Sequence, residues 1–292
     1  MIDSANLLIA GCGELGARIG SILSAGGMRV WGLRRRSERL HGSIEPIAAD
    51  LSQPDTLADL PARFDLVVYT AAAERFDDPA YRRAYVDGMR HLLDALERQQ
   101  QRPEKLLFTS SSSVYAQSDG VWVNEESPTL PTHFAGLRLL EAEDLLVRRF
   151  AGAIVLRLAG IYGPTRTRLI RQLESGEARC IERPPVYTNR IHLDDAARLA
   201  VHLLGMTGSG GVYLGVDHEP AEQCRVLRWL AKQLGVVPPQ VVDEAAAGER
   251  GLRSNKRCSN RKVLATGFRF QFPTYREGYG AIIREMRGEH PS

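Results

Sequence analysis

The stretch Asn6 to Gly16, NLLIAGCGELG, constrains this chain more than any other. Leu7 to Ala10 is apolar without interruption, the pattern of a strand buried on both faces. Gly11, Gly13 and Gly16 follow as G-x-G-x-x-G, and a helical pattern over Ala17 to Ala25 begins at once. In that order the first glycine permits a tight turn and the second lets backbone approach a pyrophosphate. The third lets the helix pack close to the strand, and phosphates sit on the free N–H groups of the helix N-terminus. Glycine clusters also make ordinary turns; the position between a strand and a helix selects the dinucleotide reading. Gly11, Cys12, Gly13, Glu14, Leu15 and Gly16 are therefore the expected cofactor loop.

The next segments supply the rest of that site. Arg29 to Leu33 reads as a second strand and ends in Arg34, Arg35 and Arg36. In this arrangement the strand end faces the adenosine ribose, where a carboxylate suits the 2′-hydroxyl of NAD and an arginine the 2′-phosphate of NADP. Arg34 and Arg35 thus point to NADP over NAD, the alternative being a solvated basic loop. Ile47 to Ala49 is a short third strand ending in Asp50 and Leu51. Asp65 to Thr70 is a fourth, running into Ala71, Ala72 and Ala73, whose small side chains would let backbone lie near the cofactor. A helical region over Pro79 to Gln101 precedes the fifth strand, Lys105 to Thr109, and Ser110. Strands alternating with helices over the first 160 residues predict an α/β fold, a doubly wound parallel sheet that binds ligands outside the carboxyl ends of its strands. Asp50, Leu51, Ala71 to Ala73 and Ser110 join the cofactor set on that ground.

Composition excludes several other classes. Hydrophobic residues make up 43% of the 292, charged residues 25%, and the net charge is +3, so neither a polyanionic partner nor nucleic acid is implied. No apolar run approaches the ~18 residues of a membrane span. The first strand starts within a few residues, leaving no room for a signal peptide. Cys12, Cys180, Cys224 and Cys258 show no metal-ligand spacing, so the expectation is free thiols, no metal and a cytoplasmic protein.

Four later stretches carry a family likeness. FTSSSSVYAQ (Phe108 to Gln117), RLAGIYGPTR (Arg157 to Arg166), NRIHLDDAARLA (Asn189 to Ala200) and NKRCSNRKVLATGFRFQFPTYREGY (Asn255 to Tyr279) fall in an order that resembles the extended short-chain dehydrogenase/reductases, the NAD-dependent epimerase/dehydratase-like group. That resemblance implies a Rossmann domain with a smaller C-terminal substrate-binding cap and a small-molecule substrate, often a nucleotide diphosphate sugar. It also suggests a homodimer through helices around residues 80–101 and 134–150. The boundary is expected near 160, giving a dinucleotide-binding domain over 1–160 and a cap over 161–292. Segments around 186–204 return to the first domain.

The likeness breaks at two points. The glycine loop is G-x-G-x-x-G where the family usually has G-x-x-G-x-x-G, the mark of an atypical branch. More seriously, the family's Tyr-x-x-x-Lys pair is missing. By resemblance the tyrosine moves the proton while nicotinamide exchanges hydride, the lysine lowers its pKa, and a serine holds the substrate oxygen. Ser111 matches the serine. The segment PTHFAGLRLLEAE (Pro131 to Glu143) offers Phe134 and Arg138, or Ala135 and Leu139, in place of the pair. Only four of the 38 basic residues are lysines, and none follows a tyrosine by four. Phenylalanine has no proton to move and arginine does not titrate.

Ser111, Tyr115 and His133 are the catalytic candidates that remain. His133 can act as an acid near neutral pH, with exposure in a polar, proline-containing loop as its plainer reading. Tyr115 and Tyr162 match positions that need not be catalytic. Ser112, Tyr162 and Arg190 are the candidate substrate contacts, and Arg166, Arg168 and Arg253 are further cations that could meet an anionic substrate. His192 reads as a structural hydrogen-bonding residue, and Ala245 to Arg250 as a mobile segment. The expected function is NADP-dependent hydride transfer on a carbonyl or sugar-like substrate with a nonstandard proton donor. A catalytically silent NADP-binding sensor or regulator is the alternative.

Overall fold

A computed structural model describes residues 5–40, 42–61, 63–208, 210–243 and 255–289. Ala245 to Arg250 and Arg253 lie outside these. Seven strands form the main sheet: β1 (Asn6–Ala10), β2 (Arg29–Arg34), β3 (Ile44–Ala48), β4 (Leu66–Tyr69), β5 (Lys105–Ser111), β6 (Ile154–Leu158) and β7 (Gly211–Gly215). Their spatial order is β7-β6-β5-β4-β1-β2-β3. β1 pairs in parallel with both β2 and β4, and the order reverses beside it, which makes its carboxyl end the topological switch point. β1, β4 and β6 are buried along nearly their whole length, as the apolar runs of β1 and β4 require; β6 also buries Arg157 within its apolar sequence. The helices are α1 (Glu14–Ala25), α2 (Asp78–Tyr81), α3 (Gly88–Arg98), α4 (Phe134–Arg149), α5 (Arg168–Glu174), α6 (Leu193–Gly205), α7 (Gln223–Leu234), α8 (Arg261–Ala265) and α9 (Tyr275–Met286). A π-helical turn over Arg82–Asp87 joins α2 to α3, so the helical region expected over 79–101 is one run with a wider turn inside it.

The chain divides into two compact units, and the division does not follow a single boundary near 160. The first comprises the segment ending at Val114, Thr129–Arg157 and Ala197–Tyr213; the second comprises Tyr115–Pro128, Leu158–Ala196 and the segment beginning at Leu214. Tyr115–Pro128 joins the second unit because Trp122–Val123 pairs in parallel with Arg257–Cys258. That pairing relies on asparagines from the sequence landmarks. Asn189 receives the Cys258 N–H and donates to the Lys256 carbonyl, and Asn255 receives the Tyr187 N–H and donates to the Pro185 carbonyl. His192 accepts the Asp194 N–H, the structural role expected of it. Asp195 accepts the N–H groups of Gln271 and Phe272 at 2.8 and 2.7 Å.

The core of the second unit corrects the cysteine expectation. Cys180 and Cys224 are joined in a disulfide, while Cys12 and Cys258 are free and buried. The two bonded residues are 44 apart in sequence and meet because α7 packs its apolar face, Val226, Leu227 and Leu230, into the same cluster as Cys180. Among the described residues no helix is long and apolar enough to cross a membrane.

Candidate dinucleotide and active site

The glycine turn at the end of β1 has the geometry its sequence predicts. Gly11 has φ +82°, and a Cβ there would lie 2.3 Å from the Ala71 Cα, so only glycine fits. Its N–H and that of Cys12 both donate to the Leu33 carbonyl at 2.9 Å, which ties the turn to the end of β2. Thr70 Oγ1 donates to the Gly11 carbonyl at 3.0 Å. A Cβ on Gly16 would meet Ile9 and Thr70 at 2.7 Å, the close packing of helix on strand expected of the third glycine. Gly13 differs from both. It is exposed, caps α1 without a side chain, and a Cβ there would meet only the Gly11 carbonyl at 3.9 Å. Space stays open at Gly13, where the first turn of α1, Glu14, Leu15 and Gly16, begins, and this fits a dinucleotide pyrophosphate. Cys12 turns its thiol inward to Gly32, and burial pushes its pKa up to about 11, so it adds no charge to the loop.

The ribose-facing residues divide. Arg34 ends β2 half-buried and has no ion pair among the described residues. Arg35 is exposed and ion-paired with Glu74, a residue the sequence reading did not select although it follows the alanine run directly. That carboxylate raises the pKa of Arg35 and competes with any phosphate for its guanidinium. Asp50 accepts the N–H and hydroxyl of Ser52 with one carboxylate oxygen, closing a local turn, and Leu51 is buried with its carbonyl against His91. Ala71 backs onto Gly11, Ala72 is exposed, and the Ala73 amide hydrogen-bonds the Tyr85 hydroxyl.

The serine run does not all face one way. Ser110 is buried and its hydroxyl donates to Glu143 of α4 at 2.5 Å, while Arg157 donates to the other Glu143 oxygen at 2.6 Å. Ser110 therefore belongs to a buried polar network, not to the cofactor surface, because side chains alternate along β5. Ser111 and Ser112 are half-buried, and Ser111 Oγ accepts the Ser113 N–H at 3.2 Å. Glu143 lies on the buried face of α4 with Leu139, Ala142 and Leu146, a position from which the network could have been suspected.

The replaced pair also has an explanation in contacts. Phe134 opens α4 and Arg138 follows one turn later. Arg138 donates to both carboxylate oxygens of Asp78 at 2.7 and 3.0 Å and to Glu141 at 2.8 Å. These hydrogen bonds raise its pKa further, and its guanidinium is committed to protein carboxylates. His133 is not an exposed loop residue. It caps α4, with Nδ1 accepting the Ala135 N–H at 3.3 Å, and its ring stacks on Phe76 at 5.5 Å. In the neutral imidazole Nε2 then carries the proton. The phenol packed on Phe134 is that of Tyr81, ring to ring at 5.3 Å, another residue the sequence reading passed over.

The other candidates lie in the second unit. Tyr115 is buried. Tyr162 is also buried, stacks on Tyr279 at 4.4 Å, and burial raises its pKa. Arg190 is buried and donates to the Thr188 carbonyl at 3.3 Å and to its hydroxyl, so neither residue is a surface contact for a free substrate.

A parallel sheet in this strand order, with a glycine turn leading from its first strand into α1, places the protein in the Rossmann class. The chain matches the NAD dependent epimerase/dehydratase family over residues 7–214, and it belongs to that family. It resembles the structure of a protein from Methylobacillus flagellatus assigned to NAD-dependent epimerases/dehydratases, with 35% identity, 97% of this chain and 99% of that one covered, and a TM-score of 0.82. MoeE5 in complex with UDP-glucuronic acid and NAD shares the fold at 23% identity, TM-score 0.81, with 98% and 100% coverage. The human epimerase family protein SDR39U1 with NADPH shares it at 20% identity, TM-score 0.79, with 96% and 99% coverage. No curated protein matches the chain.

Proposed function

We propose that this protein binds NADP and catalyses hydride transfer on a carbonyl or sugar-like substrate without the tyrosine and lysine of its family. The observation that carries the reading is the combination of the open Gly13 turn with Arg34 at the end of β2, which makes no ion pair among the described residues. The nicotinamide cofactor supplies the hydride-exchanging group. The first turn of α1 binds the pyrophosphate through its backbone N–H groups, and Gly13, whose own N–H donates to the Gly11 carbonyl, leaves room for the approach. Arg34 takes the 2′-phosphate, and Arg35 contributes when Glu74 releases it. Ser111 orients the substrate oxygen through its hydroxyl. The proton is assigned to His133 beside the position of the lost tyrosine: its imidazolium, formed when Nδ1 gives up the Ala135 N–H and takes a proton from solvent, donates from Nε2 to the substrate oxygen and returns to the neutral ring. A homodimer and a cytoplasmic setting complete the reading.

A second reading, a cofactor-binding sensor without catalysis, is favoured by Arg138, whose engagement with Asp78 and Glu141 leaves the family's lysine role unfilled. A fluorescence titration with NADPH and NADH on wild type and on Arg34→Ala separates the cofactors. Tight NADPH binding that the variant loses supports the first reading's cofactor; equal or tighter NADH binding removes it. A carbonyl-substrate screen with wild type and His133→Gln then distinguishes enzyme from sensor.

A further inference from the structure

The second unit buries an arginine and an aspartate that are near each other yet do not bond. Arg190 is 5% exposed and Asp217 2%. The Asp217 N–H donates to the Arg190 carbonyl at 2.8 Å, so the backbones are fixed side by side. Arg190 spends Nη2 on Thr188, and Asp217 spends Oδ1 on the Glu219 N–H at 3.0 Å. Arg190 Nη1 and Asp217 Oδ2 are left without a partner among the described residues. Two phenols share this condition: the hydroxyls of Tyr162 and Tyr275, both in buried residues, are also unpartnered. The Arg190 guanidinium sits 5.3 Å over the Tyr275 ring, and Tyr162 feels both Asp217 and Arg190 electrostatically.

Buried polar atoms in folded proteins are nearly always hydrogen-bonded, so four orphans around one arginine and aspartate call for a common small partner. Its chemistry is constrained. It must accept from a guanidinium, donate to a carboxylate and do either for a phenol. A halide cannot donate, and any anion, a protonated oxyanion included, would be repelled by Asp217 once that carboxyl ionises above about pH 7; a metal ion would face Arg190. Water satisfies every member, and one or a few molecules bridging groups too far apart for direct contact is the usual arrangement.

We infer that Arg190, Asp217, Tyr162 and Tyr275 form a buried hydration site whose ordered water bridges the Arg190 guanidinium to the Asp217 carboxyl. The site joins the strand Arg190–His192, the turn at Asp217 and the first turn of α9. It makes Tyr162 a positioning residue for the Tyr162-Gly163-Pro164 loop, its hydroxyl used inward. Burial pushes the Asp217 carboxyl up to about 7 against the opposing pull of Arg190, with Glu219 and Glu277 adding to the rise, the position of a carboxyl held by few partners.

The test is a high-resolution crystal structure of the full chain together with thermal melts of Tyr162→Phe and Tyr275→Phe. The expected result is a water within hydrogen-bonding distance of both Arg190 Nη1 and Asp217 Oδ2, and a melting temperature lowered by roughly 2–4 °C in each variant, because each removes a partner from a satisfied network. A direct Arg190–Asp217 bond or a dry site overturns the inference. So do unchanged or raised melting temperatures, since deleting a truly unpaired hydroxyl costs nothing. None of these readouts needs cofactor or substrate.

Discussion

Arg35 and Glu74 are ion-paired across the ends of β2 and β4, both side chains more than half exposed. The pair holds one of two candidate 2′-phosphate ligands in a neutral complex, while Arg34, the other, has no ion pair among the described residues. An exposed pair is worth ~0.2–1 kcal/mol, so a phosphate can displace Glu74 at small cost. Glu74→Gln is therefore expected to tighten NADPH binding by about two- to five-fold, with NADH affected less. Titrations of both cofactors against the variant check this; equal gains for the two would mean Arg35 is not near the 2′-position.

Gly11 and Gly13 separate folding from binding. Gly11→Ala forces a side chain into the Ala71 backbone at positive φ and should destabilise the fold by roughly 2–5 kcal/mol. Gly13→Ala has room for its methyl and should melt within about a degree of wild type while losing most dinucleotide affinity, because the methyl occupies the approach of the pyrophosphate. Melting curves with and without NADPH read both effects.

What could be read from the sequence follows from the range of the interactions involved. The glycine turn was legible because its three constraints lie within six residues and act on adjacent elements. The parallel sheet was legible from the uninterrupted apolar runs of β1 and β4. Ser110 was misplaced because alternation along a strand says that Ser110 and Ser111 face opposite ways, not which of them faces α4. The ties of Arg35 to Glu74, Ser110 to Glu143 and Cys180 to Cys224 span 39, 33 and 44 residues, and no local pattern announces them. The loss of the tyrosine and lysine was visible, whereas the capture of Arg138 by Asp78 depends on α2 meeting α4.

The Ser110–Glu143–Arg157 network predicts opposite outcomes for neighbouring serines. Glu143→Ala removes the carboxylate ion-paired with the buried Arg157 and should cost ~3–5 kcal/mol. Ser110→Ala removes a hydrogen bond to a charged group and should cost about 1.5–3 kcal/mol. Ser111→Ala should leave stability within ~0.5 kcal/mol and, if Ser111 orients substrate, reduce turnover instead. Urea unfolding of the three variants decides the assignment, and a Ser111 variant as damaged as Ser110 would falsify it.

The disulfide closes a loop with a sequence separation of 44 residues, for which chain entropy predicts a stabilisation of about 4 kcal/mol. Cys180→Ser/Cys224→Ser should lower the melting temperature, and reductant should shift wild type to the variant's value and leave the variant unmoved. Cys12 and Cys258 should resist alkylation in the folded state. Burial pushes their thiols up to about 11 and about 12, leaving almost no thiolate at neutral pH. Thiol counting by mass spectrometry before and after reduction gives the result; four reactive thiols in the untreated native protein would remove the prediction.

Asp217 sets a pH dependence whose direction is fixed by burial. Its carboxyl titrates near 7 in the folded chain against 3.8 ordinarily, raised by desolvation, Glu219 and Glu277 and lowered by Arg190 and the Glu219 N–H. Tyr162 and Tyr279 are electrostatically coupled to it. The folded state thus holds a proton that the unfolded state has released between these values. The contribution to stability is present below about pH 4 and is lost as pH rises through about 7. Above that, an ionised Asp217 in this site costs on the order of a few kcal/mol. Asp217→Asn cannot ionise, so it should be more stable than wild type at pH 8, approach wild type at pH 5, and show a flatter slope between. Melting temperatures of the two proteins across pH 4–8 test this, and parallel curves would mean that Asp217 titrates at its ordinary value.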